Sequence, residues 1–141
     1  PVSSAMNYVL GYTLCNDVTV RDLQKRDGQF TRAKGFDSFC PLGPVISTDF
    51  DLGKAAIQSH LNGKLVQDGA NDELIFSIEG LVSFISHVMT LEPGDVITTG
   101  TPAGVGNLAP GDVIELFADG IGRLRNPVVA APALPQLAPR S

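Results

Sequence analysis

At 141 residues, with 43% apolar and 18% charged side chains, the chain has the length of one domain and enough apolar surface for a core, which excludes a disordered polymer. A net charge of −5 offers no basic face for phosphate, which excludes general nucleic-acid binding. No apolar run reaches the length of a membrane span.

Two cysteines, Cys15 and Cys40, are too few for a disulfide framework and stand in no CxxC or zinc spacing. Both read as reduced, as expected of a cytoplasmic protein. Position 1 is Pro, and sequence typical of a domain interior follows at once. The native N-terminus is therefore expected to lie elsewhere, and a targeting peptide is not observable.

In chain order, Pro1 to Asn7 is a short polar lead-in. Tyr8 to Cys15 is rich in aromatic and β-branched residues and is bounded by Asn16-Asp17, the pattern of a buried strand. Val18 to Lys25 suits a short helix, and Asp27-Gly28 a turn. Gly35, Pro41, Gly43 and Pro44 keep the next stretch irregular, before a strand over Pro44–Ser47. Lys54 to Asp68 reads as a hairpin: Ala55, Ile57 and Leu61 fall on one parity, and Asn62-Gly63 is a two-residue turn signal. Asp68-Gly69 is expected to close it.

Ser77 to Met89 is the one principal helix. Ile78, Leu81, Val82, Ile85 and Met89 recur at spacings of three and four, with Ser77 placed to cap and Glu79 in the first turn. Phe84 and Val88 widen the apolar face, so packing on more than one side is expected. Leu91-Glu92-Pro93-Gly94-Asp95-Val96-Ile97 is then echoed by Leu108-Ala109-Pro110-Gly111-Asp112-Val113-Ile114, seventeen residues later. Pro-Gly favours the centre of a type II turn, and each copy is expected to launch a strand. Thr98 to Gly106 between them is a small-residue loop, and Gly120 to Leu124 suggests a last strand. No βαβ rhythm runs through the chain, so the fold class is mixed α/β and strand-rich rather than doubly wound.

The candidate chemistry lies between Gly11 and Gly43. Five of the ten Lys and Arg residues fall there, at Arg21, Lys25, Arg26, Arg32 and Lys34. Asp17, at the end of a buried strand, is held in a direction that suits a hard cation, though an Asx turn is the commoner use of such an Asp. Lys34 sits between Ala33 and Gly35, where other groups can approach; it suits a carboxylate or an enolate, and equally a solvated surface. Arg21, Arg26 and Arg32 could fork onto a substrate carboxylate or pair with neighbouring Asp22 and Asp27 at little gain. Gly104-Val105-Gly106 is a weak nucleotide-loop signal, with no GxxxxGK[ST] or GxGxxG and the helix on the wrong side. His60 and His87 stand in no catalytic spacing.

The motifs taken together resemble a known family. Gly11-Tyr12-Thr13, Asn16-Asp17-Val18-Thr19, Arg21-Asp22-Leu23-Gln24, Lys34-Gly35-Phe36-Asp37 and Cys40-Pro41-Leu42-Gly43-Pro44 run in close order. Asn62-Gly63, Leu91–Asp95, Thr99–Gly106 and Gly120–Gly122 follow. In this order and spacing they resemble the C-terminal part of the fumarylacetoacetate hydrolase family, from about Ala5 to Val129. The resemblance implies a mixed β-sandwich roll, usually homodimeric, over residues 1–129, followed by an Ala/Pro-rich loose tail over 130–141. It implies a Mg2+- or Mn2+-dependent enzyme acting on a small 2-oxo or diketo acid, by C–C hydrolysis, isomerisation or decarboxylation, as in aromatic-acid breakdown. By the same resemblance Asp17 is a metal ligand, Lys34 is the catalytic lysine beside metal and substrate, and Arg21, Gln24 and Thr101 face the substrate.

One departure stands out. The family's other metal ligands form a Glu-x-Glu motif upstream of the aspartate, and its activating His-Glu pair is upstream too. Here the four glutamates, Glu73, Glu79, Glu92 and Glu115, are all downstream and scattered. Two readings stay open: a fragment whose Glu-x-Glu segment is carried by the same or another chain, or a non-catalytic, metal-free subunit serving dimerisation or ligand binding. A retained Asp17–Lys34 pair favours the fragment.

Overall fold

A computed structural model describes residues 1–70 and 73–130. The expected tail over 130–141 lies, beyond Ala130, outside the described residues. The architecture is mixed α/β with all strand pairing antiparallel. β1 (Tyr12–Cys15) pairs with β2 (Leu42–Ser47) in a two-stranded ribbon. The larger sheet has the order β4-β3-β5-β6, from β3 (Ala56–Leu61), β4 (Lys64–Ala70), β5 (Val113–Ala118) and β6 (Gly122–Pro127).

β5 shows the period of two that a half-buried strand requires, with Ile114, Leu116 and Ala118 buried on one face. Those residues meet Leu14 of the ribbon together with Ile121 and Leu124, and Tyr12, Phe50, Ile57, Leu61 and Leu108 pack around them. Leu14, only 2% exposed, ties the ribbon to the sheet. The expected hairpin is β3–β4. Its Asn62-Gly63 turn has φ of +52° and +79°, the left-handed pair that a two-residue turn between twisted strands needs. Asp68-Gly69 does not close the unit, because β4 runs on to Ala70.

The principal helix, α3 (Ile78–Val88), is capped as expected: Ser77 Oγ accepts from Gly80 N at 3.2 Å. Ile78 and Val82 form a second, smaller core with Ala5, joined by Val9, Leu52, Leu74, Leu91 and Ile97. The expectation that α3 packs on more than one side is not met among the described residues: Phe84 is 72% and Val88 67% exposed.

Other boundaries moved for local reasons. The lead-in is a 3-10 helix over Val2–Tyr8 whose buried Ala5 reaches the second core. The first strand loses Tyr8 to Gly11, since Val9 N is spent on Met6 O and Leu10 is exposed. α1 (Arg21–Asp27) starts three residues later than expected. The β-branched Val18-Thr19-Val20 run stays extended, and Val20 N bonds Ala33 O across the loop at 2.9 Å. A further single-turn helix, α2 (Thr31–Lys34), lies in what read as irregular sequence. Of the two repeat copies only the second launches a strand; Val96-Ile97 is in no sheet.

Candidate functional site

Backbone bonds converge where β1 ends. Asn16 N donates to Pro41 O at 3.1 Å and Val18 N to Asn16 O at 2.9 Å, so the chain turns at Asp17. Ala33 is fully buried, and its carbonyl receives Val20 N, which fixes α2 against the segment leaving Asp17. Lys34, at the end of α2, thereby meets Asp17: its Nζ donates to Asp17 Oδ2. Nζ also lies 5.2 Å from the centre of the Phe30 ring.

The two charged side chains are 36% and 40% exposed. A pair this wet contributes at most ~1 kcal/mol to stability, so it is no structural staple. One Asp17 oxygen is taken by the ammonium, and Oδ1 is left for a ligand. The side-chain Nδ2 of the preceding residue, Asn16, is buried without a hydrogen-bond partner among the described residues.

Arg21 opens α1 and its Nη1 donates to Gln24 Oε1 at 3.3 Å, one turn on. Asp27, by contrast, is consumed structurally. Arg32 binds it through two bonds of 2.7 and 2.5 Å, with Arg26 at 3.7 Å. The Arg32 guanidinium holds the Asp27 carboxyl below the usual carboxylate range. Arg26 and Arg32 are thus surface ion-pair residues, and Arg21 does not pair with Asp22.

Thr101 comes from the loop between the repeats. Gln67 of β4 donates through Nε2 to Thr101 Oγ1 and to Pro102 O, both at 2.9 Å. The loop presses against β4. Gly104 adopts φ +101°, and a Cβ there would collide with Val66 O. Gly104 of the Gly104-Val105-Gly106 run therefore serves close backbone packing, which gives that glycine a structural use without a nucleotide.

Asp17, Arg21, Lys34 and Thr101 all line one open cavity of about 2060 Å³. Gln24 does not line it, and reaches it only through Arg21. The volume exceeds the ~300–1,000 Å³ of ordinary small-molecule pockets, leaving space for more polypeptide as well as a ligand. His60 Nδ1 is buried without a partner among the described residues, whereas His87 Nδ1 lies 2.7 Å from Ser83 O of its own helix.

Two contacts were not expected from the sequence. Gln67 positions Thr101, and only its polar character on a strand hinted at a partner. Cys15 Sγ and Cys40 Sγ touch at 3.4 Å, although their 25-residue separation carries no signal. Both are free thiols, as expected. Burial, then the hydrogen bond with Cys40, pushes the Cys15 thiol up to about 12.

Among the described residues no three His, Cys, Asp or Glu side chains gather to hold a metal ion. Asp17 alone does not suffice for a hard cation, which takes six or more oxygens. No helix among the described residues is long and apolar enough to cross a membrane.

Known proteins give the site its context. A family profile described as fumarylacetoacetate (FAA) hydrolase C-terminal matches residues 1–129. An uncharacterised protein of Archaeoglobus fulgidus is 57% identical over 129 residues, covering 92% of this chain and 52% of that protein. The crystal structure of a 5-carboxymethyl-2-hydroxymuconate delta-isomerase from Mycobacterium smegmatis superposes with a TM-score of 0.91 at 48% identity, covering 94% of this chain and 53% of that one. A maleylpyruvate hydrolase from Sphingobium sp. SYK-6, solved with manganese(II) and pyruvate, gives a TM-score of 0.81 at 35% identity, with 91% and 47% covered. The chain spans about half the length of the curated relatives it matches. With its sheet-dominated core, few helices and near-complete profile match, the chain belongs to the fumarylacetoacetate hydrolase family.

Proposed function

We propose that this chain supplies part of the active site of a divalent-metal-dependent enzyme acting on a small 2-oxo or diketo acid. The reading extends to C–C hydrolysis, isomerisation or decarboxylation in the breakdown of aromatic acids, in a cytoplasmic homodimer. The observation that carries it is the half-exposed Asp17–Lys34 pair on a cavity shared with Arg21 and Thr101. The manganese- and pyruvate-bound maleylpyruvate hydrolase supports the same chemistry for a relative.

Each residue has a physical task in this reading. Lys34 brings a positive charge to substrate oxygen as negative charge develops there, so its attraction is greatest in the transition state. Arg21 offers a guanidinium fork to the substrate carboxylate, and Gln24 limits the directions that fork can take. Thr101 accepts from Gln67, which leaves its own hydroxyl proton free to donate into the cavity. Asp17 contributes one carboxylate toward Mg2+ or Mn2+, which when bound would supply Lewis acidity. The remaining oxygens are assigned to an upstream segment with Glu-x-Glu, on the same or another chain. Residues 1–129 are the C-terminal part of the catalytic domain.

The test is mutagenesis in the complete protein, assayed on acylpyruvates, oxaloacetate and hydroxyheptadienedioate. Asp17→Ala is expected to abolish Mg2+-dependent turnover with an unchanged circular dichroism spectrum. Lys34→Ala is expected to lower kcat by ~10²-fold or more while metal affinity, read by calorimetry, changes little. Unchanged turnover in both variants removes the site. An inactive complete protein whose mass spectrum contains no Glu-x-Glu segment would favour the non-catalytic subunit.

A further inference from the structure

The thiol pair next to the site does not enter the chemistry above. Cys15 closes β1 and Cys40 lies in the loop entering β2, where Cys15 pairs with Leu42 and Asn16 N bonds Pro41 O. Backbone bonds therefore hold the two segments together on the C-terminal side of both cysteines, and their sulfurs stay 3.4 Å apart without a covalent bond. Cys40 is exposed and Cys15 half-buried on the wall of the cavity, so Cys40 is the more open of the two to a reagent from solvent. From this contact we propose that Cys15 and Cys40 form a reversible redox modification site, closed to an intramolecular disulfide by a peroxide.

The steps balance. The Cys40 sulfur attacks one peroxide oxygen, the O–O bond breaks, and Cys40 sulfenic acid and one water result. The Cys15 sulfur then attacks the Cys40 sulfur, the S–OH bond breaks, and the hydroxyl leaves with the Cys15 proton as a second water. Two thiols are oxidised and one peroxide is reduced; a dithiol reductant reverses the change. Closure brings the sulfurs to ~2.05 Å, pulling the end of β1 toward the loop two residues before Asp17. Control of turnover by this closure rests on the active-site reading above, whereas the closure itself does not.

The experiment treats the full-length protein with hydrogen peroxide, alkylates free thiols, and maps the peptides by mass spectrometry without reduction. The expected result is a loss of two hydrogens per chain, a linked Cys15–Cys40 peptide, and protection of both cysteines that dithiothreitol reverses. Cys15→Ser is expected to leave Cys40 as a sulfenic acid that dimedone traps, and Cys40→Ser to leave Cys15 alkylatable after peroxide. Two free thiols after treatment, sulfinic acid at Cys40 with Cys15 still free, or a disulfide between chains would each overturn the proposal. If the linked peptide forms and turnover is unchanged, control of the site is refuted; loss of turnover restored by dithiothreitol supports it.

Discussion

Gly104→Ala isolates the contact that seats the Thr101 loop on β4. Two terms set its size. Forcing a side chain into φ +101° costs at least ~1–2 kcal/mol, the penalty already paid in the milder left-handed region. The new Cβ would also overlap Val66 O, backbone of the unpaired residue at the register shift between Leu65 and Gln67 of β4, which cannot rotate away as the end of a side chain can. The loop must lift instead, giving up the two Gln67 bonds to Thr101 and Pro102, each worth ~0.5–1.5 kcal/mol net. Together the loss comes to about 2–5 kcal/mol. Urea unfolding of the full-length protein, followed by far-ultraviolet circular dichroism, reads it as a fall in midpoint at constant slope. Gly106→Ala is the internal control, because nothing lies within 4 Å of its added Cβ. Should the two variants unfold at the same midpoint, the seating of the loop on Val66 is not what holds Thr101.

Leu14→Ala removes the side chain joining ribbon to sheet, and with only 2% exposure it is expected to cost about 3 kcal/mol. The same denaturation measurement checks it, and a loss below ~1 kcal/mol would mean the two layers are held elsewhere. A further prediction concerns acid. Hydrogen bonds from the Asn62 side chain and then Ala109 N hold the Asp112 carboxyl below its usual range. The folded value is depressed, so the stabilisation is present above the ordinary carboxylate value of ~3.9 and fades as pH falls through the folded value. Asp112→Asn should therefore flatten the stability–pH curve below ~pH 4, and parallel curves for the two proteins would refute the assignment.

What could be read from the sequence was whatever neighbours in the chain decide. The β3–β4 hairpin followed from Asn62-Gly63, and α3 from three-and-four spacing with Ser77 as cap. The repeat separates the two kinds of information cleanly. Asp95 accepts from Glu92 N, and Asp112 from Ala109 N, both at 2.8 Å, so each copy builds the same closed turn. Only the second copy finds edges to pair with, between β3 and β6, and only there does a strand follow. A turn is local, whereas a strand needs a partner. The same limit governs the site. Asp17 and Lys34 were legible singly as ambiguous charges, and their meeting depends on α2, a single turn closed by Lys34 N on Phe30 O and held in place by Val20 N on Ala33 O. The Cys15–Cys40 contact is wholly tertiary.

The two cores are unequal. One gathers Leu14, Ile114, Leu116, Ala118, Ile121 and Leu124 around the sheets, and the other rests on Ala5, Ile78 and Val82 beneath a helix whose outer face is bare. Opening free energy follows the apolar area released, so the helical corner can come loose while the sheet keeps its register. Asp17, Lys34 and Thr101 belong to the sheet side: Asp17 follows β1, Lys34 ends α2, and the Thr101 loop is bonded to β4. These three are thus carried by the part of the fold expected to exchange more slowly. Ile78, Leu81 and Val82 line the same cavity from the helical corner, so the helix can shift that wall without scattering them.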